Sequence, residues 1–144
     1  MVRRFWTTLG LFVLLAAGTL AQTGGDKRTI QVDVTYTGAG TVDANHKIYV
    51  ALWDSTDLSS GPPAAVQSLA SKRGSVTFSN VQKVPAYTSL AYDPTGVWDA
   101  QTPPPSGASL GMYGKNPPTP DPIDVAPGKT TKVAISFNDS VKVP

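Results

Sequence analysis

The stretch Asp93-Pro94-Thr95-Gly96-Val97-Trp98-Asp99 has the best claim to metal chemistry in this chain. Asp93, Thr95 and Asp99 bring spaced side-chain oxygens, and Gly96 permits a tight turn, the kind of loop that suits Ca2+. Two carboxylates without a Glu fall short of the roughly six to eight oxygens that ion prefers, so backbone carbonyls and water would have to complete the set. An Asx turn, in which the Asp side chain caps its own backbone, uses the same residues and needs no metal. The second constellation is aromatic: Trp53, Tyr92, Trp98 and Tyr113. A flat apolar ring with a polar rim suits a sugar or a proline-rich peptide. The same four rings could instead fasten a long loop to the domain beneath it.

Catalytic sets are poorer. The chain has no Cys, which excludes a disulfide scaffold, a Cys-ligated zinc or iron–sulfur centre and a thiol nucleophile. A Ser–His–Asp set would need the one His, His46, which sits in the turn Val42-Asp43-Ala44-Asn45-His46 at the start of a strand. Asp54 and Asp57 could pair as the carboxylates of a glycosidase. They lie in a loop of Ser, Asp, Gly and Pro, and a chain this short leaves little wall for a deep cleft. The expectation is a protein that is not an enzyme and carries no cofactor.

The elements that must position these residues are strands. All ten acidic residues are Asp, charged residues make up only 15%, and Gly and Pro number 13 each. That balance argues against long helices, which draw on Glu, Lys and Ala. Ile30, Val32, Val34 and Tyr36 alternate with Gln31, Asp33 and Thr35, the period-2 signature of a half-buried strand. Residues 47–53 are apolar on both faces and read as a central strand. Residues 65–70 read as a weaker strand, 75–79 alternate with Val76 and Phe78 inward, and 86–92 form another. Ile123-Asp124-Val125, a turn at Ala126-Pro127-Gly128-Lys129, and a strand with Val133, Ile135 and Phe137 inward close the domain. Residues 93–122 hold eight prolines and read as a long irregular excursion, functional or disordered by the general rule for such loops, with Trp98, Leu110, Met112 and Tyr113 expected to pack much of it on the sandwich. Pro103-Pro104-Pro105 and Pro117-Pro118-x-Pro120 within it read as rigid spacers or as ligands for an aromatic groove. The pattern predicts an all-β, seven-stranded antiparallel β-sandwich with the long Pro/Gly-rich loop before the last hairpin. Its core should hold Ile30, Val32, Val34, Ile48, Val50, Leu52, Val76, Phe78, Leu90, Val133, Ile135 and Phe137.

Ahead of this domain the sequence reads as an export signal. Arg3 and Arg4 precede an apolar run that ends at Thr19-Leu20-Ala21, with small residues at the −3 and −1 positions of a cut after Ala21. The run is shorter than the ~20 residues of a membrane span. The expected organisation is a signal peptide at 1–21, a flexible leader at 22–28, the β-sandwich at 29–139 and a tail at 140–144. The signal takes Arg3 and Arg4 with it, so the remainder has no net charge and no electrostatic footprint for nucleic acid or an anionic membrane.

Two stretches also resemble a known family. Ile123-x-Val125-x-Pro127-Gly128-Lys129-x-x-x-Val133-x-Ile135-x-Phe137 is similar to the closing hairpin of transthyretin-like, carboxypeptidase-regulatory-like domains. Gly74-x-Val76-x-Phe78-x-Asn80-Val81, followed by Pro85-x-Tyr87, is similar to an inner strand and turn of the same domains, although the Gly that usually precedes the Tyr is Ala86 here. Ala91-Tyr92-Asp93-x-x-Gly96-x-x-Asp99 with Pro105 and Gly111-x-Tyr113-Gly114 resembles small exported bacterial domains without an assigned activity. The resemblance covers about residues 29–139 and implies a transthyretin-like or Ig-like sandwich. The related hydrolase of urate catabolism uses several His residues and a C-terminal motif, and this chain has neither.

Two functional expectations follow. The first is a secreted or periplasmic, non-catalytic module that binds or supports an extracytoplasmic protein or envelope component through the loop 93–122. The second is a carbohydrate-binding module that works through Trp53, Trp98 and Tyr113.

Overall fold

The computed structural model describes residues 26–144. The export signal expected at residues 1–21, and most of the leader expected at 22–28, lie outside the described residues. Among the described residues no helix is long and apolar enough to cross a membrane.

Among the described residues seven strands form two sheets: β1 (Thr29–Tyr36), β2 (Ile48–Trp53), β3 (Ala65–Leu69), β4 (Arg73–Ser79), β5 (Tyr87–Tyr92), β6 (Ser109–Met112) and β7 (Thr130–Phe137). One sheet is three-stranded in the order β4-β1-β7, and the other four-stranded in the order β3-β2-β5-β6. The fold is an all-β sandwich. β2 lies inside its sheet, antiparallel to β3 on one side and β5 on the other. Its apolar pattern on both faces fits that interior position.

The alternating residues of β1, β2, β4 and β7 meet between the sheets. All twelve residues expected in the core are buried in one cluster, from Ile30, Val32, Ile48 and Val50 at 0% exposure to Val133 at 7%. Tyr36, Val81, Ala86, Tyr92, Ile123 and Val125 complete it. Tyr36 stacks on Tyr92 with ring centres 5.0 Å apart, and Phe137 lies against Tyr36 at 4.9 Å. Aromatic pairs at this separation add to the energy of area burial alone.

Three details differ from the sequence pattern. First, the sheets are antiparallel except at one seam, where β1 runs parallel to β7 in the register Val32↔Val133 and Val34↔Ile135. Second, residues 123–125 are not a strand and the closing hairpin does not form. Ile123 instead makes an isolated bridge with Ala86, with both reciprocal backbone bonds closed at 2.8 and 2.9 Å. The turn at Ala126–Lys129 does form, with Gly128 at φ 71° and Lys129 N–H donating to the Ala126 carbonyl. Third, the seventh strand comes from inside the Pro-rich excursion, as β6. Gly111 hides that strand in the sequence, because it breaks the apolar pattern. Its reason is packing: a Cβ there would overlap the side chain of Phe137.

A polar knot ties the two sheets at one end. The carboxylate of Asp139, just after β7, accepts hydrogen bonds from the Tyr36 hydroxyl of β1 (2.5 Å), the Ser109 hydroxyl of β6 (2.6 Å) and the Ala39 N–H (2.8 Å). Those bonds hold its carboxyl down at about 2. The tail that follows bridges β6 at Lys142 and Ser109, with Leu110 N–H donating to the Val141 carbonyl at 2.9 Å.

Candidate functional site

Successive side chains of a strand point to opposite faces, so register decides what each sheet shows to solvent. On the three-stranded sheet the outward residues of β1 are Thr29, Gln31, Asp33 and Thr35, opposite Ser79, Thr77, Ser75 and Arg73 of β4. On the four-stranded sheet the inward residues of β2 are Ile48, Val50 and Leu52. Tyr49, Ala51 and Trp53 therefore face outward. Across the sheet Trp53 stands opposite Tyr87, Ala51 opposite Ser89 and Val66, and Tyr49 opposite Ala91 and Ser68. β6 adds Met112 beside Ser89 and Leu110 beside Ala91.

This outer face has rings at its two ends and a row without rings between. One end is Trp53 with Tyr87. The middle row is Val66, Ala51, Ser89 and Met112. The far end is Tyr49, where the Pro-rich excursion folds back. Trp98 sets its ring edge-on to that of Tyr49 at 5.0 Å, and its carbonyl accepts from the Tyr49 hydroxyl at 2.9 Å. Ala91, opposite Tyr49, is only 5% exposed although it points outward. Burial, then the nearby charges of Asp93 and Asp99, raise the Tyr49 phenol above its usual range.

The four aromatic residues singled out in the sequence do not form one platform. Tyr92 points inward, is 6% exposed and spends its hydroxyl on the Thr41 carbonyl at 2.8 Å. It is a core residue, because Leu90 and Tyr92 share the inward phase of β5. Tyr113 also packs against the core cluster, at the end of β6. Trp98 is tied on every polar side: its backbone N–H donates to Asp93 at 3.0 Å and its indole N–H to the Thr102 carbonyl at 3.0 Å. It straps the loop down. Trp53 alone is a half-buried ring on an open stretch of sheet, with its indole N–H given to the Ser89 hydroxyl at 2.8 Å. Sequence reasoning missed Tyr49, Tyr87 and Ser89. The signal for Tyr49 was present in the two-faced apolar pattern of β2.

Asp93, Thr95 and Asp99 form a self-capped turn. Asp93 is 1% exposed. One of its oxygens accepts from the Thr95 N–H (2.8 Å) and the Thr95 hydroxyl (2.6 Å), and the other from the Trp98 N–H. Burial pushes its carboxyl up, but the donors of Thr95, Trp98 and Gly96 together pull it below the ordinary value. Asp99 turns to the Gln101 N–H at 3.0 Å instead. Donors of N–H and O–H occupy the lone pairs a cation would take. Among the described residues no three His, Cys, Asp or Glu side chains stand close enough to hold a metal ion.

His46 and Asp43 close their own turn, with the ring Nδ1 and carboxylate 3.0 Å apart and two backbone N–H groups on the same oxygen. Among the described residues one cleft lies away from the outer face and another borders it at Met112. One of about 290 Å³ is lined by Asp26–Arg28 and Asn80–Gln82. One of about 200 Å³ lies between Met112–Lys115, Asp121 and Ala134–Ser136. Both are shallow openings at sheet edges without a cluster of reactive groups. The aromatic outer face is the better candidate.

Comparison with known proteins finds no matching family model, no matching curated protein and no matching solved structure.

Proposed function

We propose that this chain is a non-catalytic, exported binding module that holds an extracytoplasmic component on the outer face of its four-stranded sheet. One observation carries the reading. A sheet face that looks onto water ordinarily alternates to polar residues, as the three-stranded sheet does, but β2 presents Tyr49, Ala51 and Trp53 there. Binding surfaces are enriched in such rings, because a large rigid side chain gives contact area at little entropic cost. The role of the Pro-rich excursion in this reading is to brace one end of the face through Trp98. It is not itself the whole recognition surface. Export rests on the basic head, apolar run and small-x-small exit of residues 1–21.

The test is retention on a washed cell-envelope fraction from the source cells. The protein should be held, and Trp53→Ala and Tyr87→Ala should each lower retention severalfold, while Thr77→Ala on the opposite sheet should leave it unchanged. Equal retention of all four proteins would remove the face from the argument.

A further inference from the structure

Resting on that face as the binding surface, we propose that its ligand is an uncharged glycan chain, stacked on Trp53 and lying across the ring-free row Val66, Ala51, Ser89 and Met112.

The indole is fixed before any ligand arrives. Its N–H reaches across to Ser89 on the neighbouring strand at 2.8 Å, one step along from Tyr87, the residue directly opposite. With the N–H spent, the ring offers its face. A ring face stacks on flat C–H surfaces, of which the pyranose ring is the common extracellular example, and a ring already held in one rotamer loses little freedom on binding.

The polar groups around it suit hydroxyls. Ser89 accepts from Trp53 and keeps its own hydrogen to donate, since a hydroxyl both gives and accepts. The hydroxyls of Tyr36, Tyr49 and Tyr92 are each spent on a carboxylate or carbonyl of the fold. That of Tyr87 has no such partner among the described residues. The loop that follows Trp53 adds exposed oxygens on Ser55, Asp57, Ser59 and Ser60, already ordered by bonds among themselves.

The same geometry disfavours a peptide. β2 and β5, which carry Trp53 and Ser89, are interior strands paired on both sides, so their main chain offers no donor or acceptor to an extended segment lying over the indole. A proline-rich helix would seek an indole N–H for its carbonyl, and that group is taken. Charge points the same way. The central row and its two flanking rows carry no carboxylate, ammonium or guanidinium. At the rim Lys83 lies 3.8 Å from Asp54, and Asp57 has no cationic partner among the described residues, so an anionic polymer finds no net attraction. Four strands at a spacing of about 4.8 Å give a row of ~14 Å, the reach of a short oligosaccharide.

Binding is measured by calorimetry and tryptophan fluorescence on the full protein. The probes are neutral β-1,4-, β-1,3- and α-1,4-linked glucose oligomers and a chitin oligomer, with decaproline and polygalacturonate beside them. At least one neutral glycan should bind below millimolar. Trp53→Ala should weaken it about tenfold or more, and Tyr87→Phe and Ser89→Ala about threefold, while Thr77→Ala has no effect. If Trp53→Ala does not fold, as read by its melting curve, Tyr87→Phe and Ser89→Ala carry the comparison. No neutral glycan bound at millimolar concentration overturns the proposal. So does Trp53-dependent binding of decaproline or polygalacturonate alone, which would leave the face as a binding surface. Periodate and protease separate the sources on the envelope fraction. Trp53-dependent retention that survives periodate and is lost to protease means a protein partner and overturns the glycan, whereas retention indifferent to Trp53 overturns the face itself.

Discussion

The outer faces of the two sheets are built from the same strand geometry and come out opposite. On the three-stranded sheet every outward position of β4 is Arg, Ser or Thr, and β1 shows only Thr, Gln and Asp. Asp33 there accepts from the Gln31 amide and the Ser75 hydroxyl, which lower its carboxyl in full contact with water. On the four-stranded sheet the equivalent positions of β2 are two aromatic rings around an alanine, and β6 adds Leu110 and Met112. Both sheets bury their other face in the same core. Tyr49 serves the fold as the seat of Trp98, whereas Trp53 and Tyr87 stand half-buried on the same face. Trp98 of the Pro-rich excursion covers the Tyr49 end of that face.

The largest expected effect tests whether the two faces do share one core. Phe78, 3% exposed on the inner side of β4, belongs to the polar-faced sheet. Phe78→Ala removes a full aromatic side chain and should cost about 3–5 kcal/mol, a large part of the stability of a domain this size. Urea denaturation followed by fluorescence measures it. Trp53 and Trp98 both report on the four-stranded sheet, so a fall of this size in their common midpoint means the sheets unfold together. A loss under about 1 kcal/mol would mean the sheets are energetically separate.

The next effect is the coupling between the sheets at Asp139. Its carboxylate joins Tyr36 of one sheet to Ser109 of the other and titrates at about 2, against an ordinary 3.8. The folded state therefore gives up the proton more readily than the unfolded chain. The stability this contributes is present in full above about pH 4 and is lost as pH falls towards 2. Allowing for the part-exposure of the carboxylate, it amounts to about 1–2 kcal/mol. Asp139→Asn should flatten that portion of the stability profile between pH 4 and 2. An unchanged profile would place the acid sensitivity elsewhere, with Asp93 the next carboxylate to examine.

Much of this was legible in the sequence, and the reasons are local. Period-2 alternation in β1, β4 and β7 marked which residues face the core, because burial on one side leaves an unambiguous pattern. The two-faced apolar run of β2 gave away its interior position; the aromatic outer face that the same run carries was not read from it. β6 was hidden because its four residues include Gly111, present for close approach to Phe137, a partner more than twenty positions away. The parallel seam of β1 and β7 was hidden for a similar reason: alternation gives the phase of a strand and says nothing of its neighbour or direction. At the candidate site Trp53 was legible as an aromatic residue at a strand end. Tyr87 and Ser89 were not, since only the register of β2 on β5 brings them beside it.

The smallest effect sharpens the contrast between the faces most directly. Ser89→Ala and Thr77→Ala each delete one outward hydroxyl from an antiparallel strand. Ser89 accepts the indole N–H of Trp53. Its removal leaves that donor without its partner and should cost about 1 kcal/mol. Thr77 is exposed opposite Gln31, and its removal should change stability by about 0.5 kcal/mol or less. By melting temperature the two variants will look nearly alike. They should part in the behaviour of Trp53. Without Ser89 the ring has no fixed rotamer, so its fluorescence anisotropy should fall and its accessibility to acrylamide should rise, and both should stay at wild-type values in Thr77→Ala. If the two variants remain indistinguishable in these readouts, Ser89 does not hold the indole in place, and the aromatic face loses the preorganisation that sets it apart from the polar one.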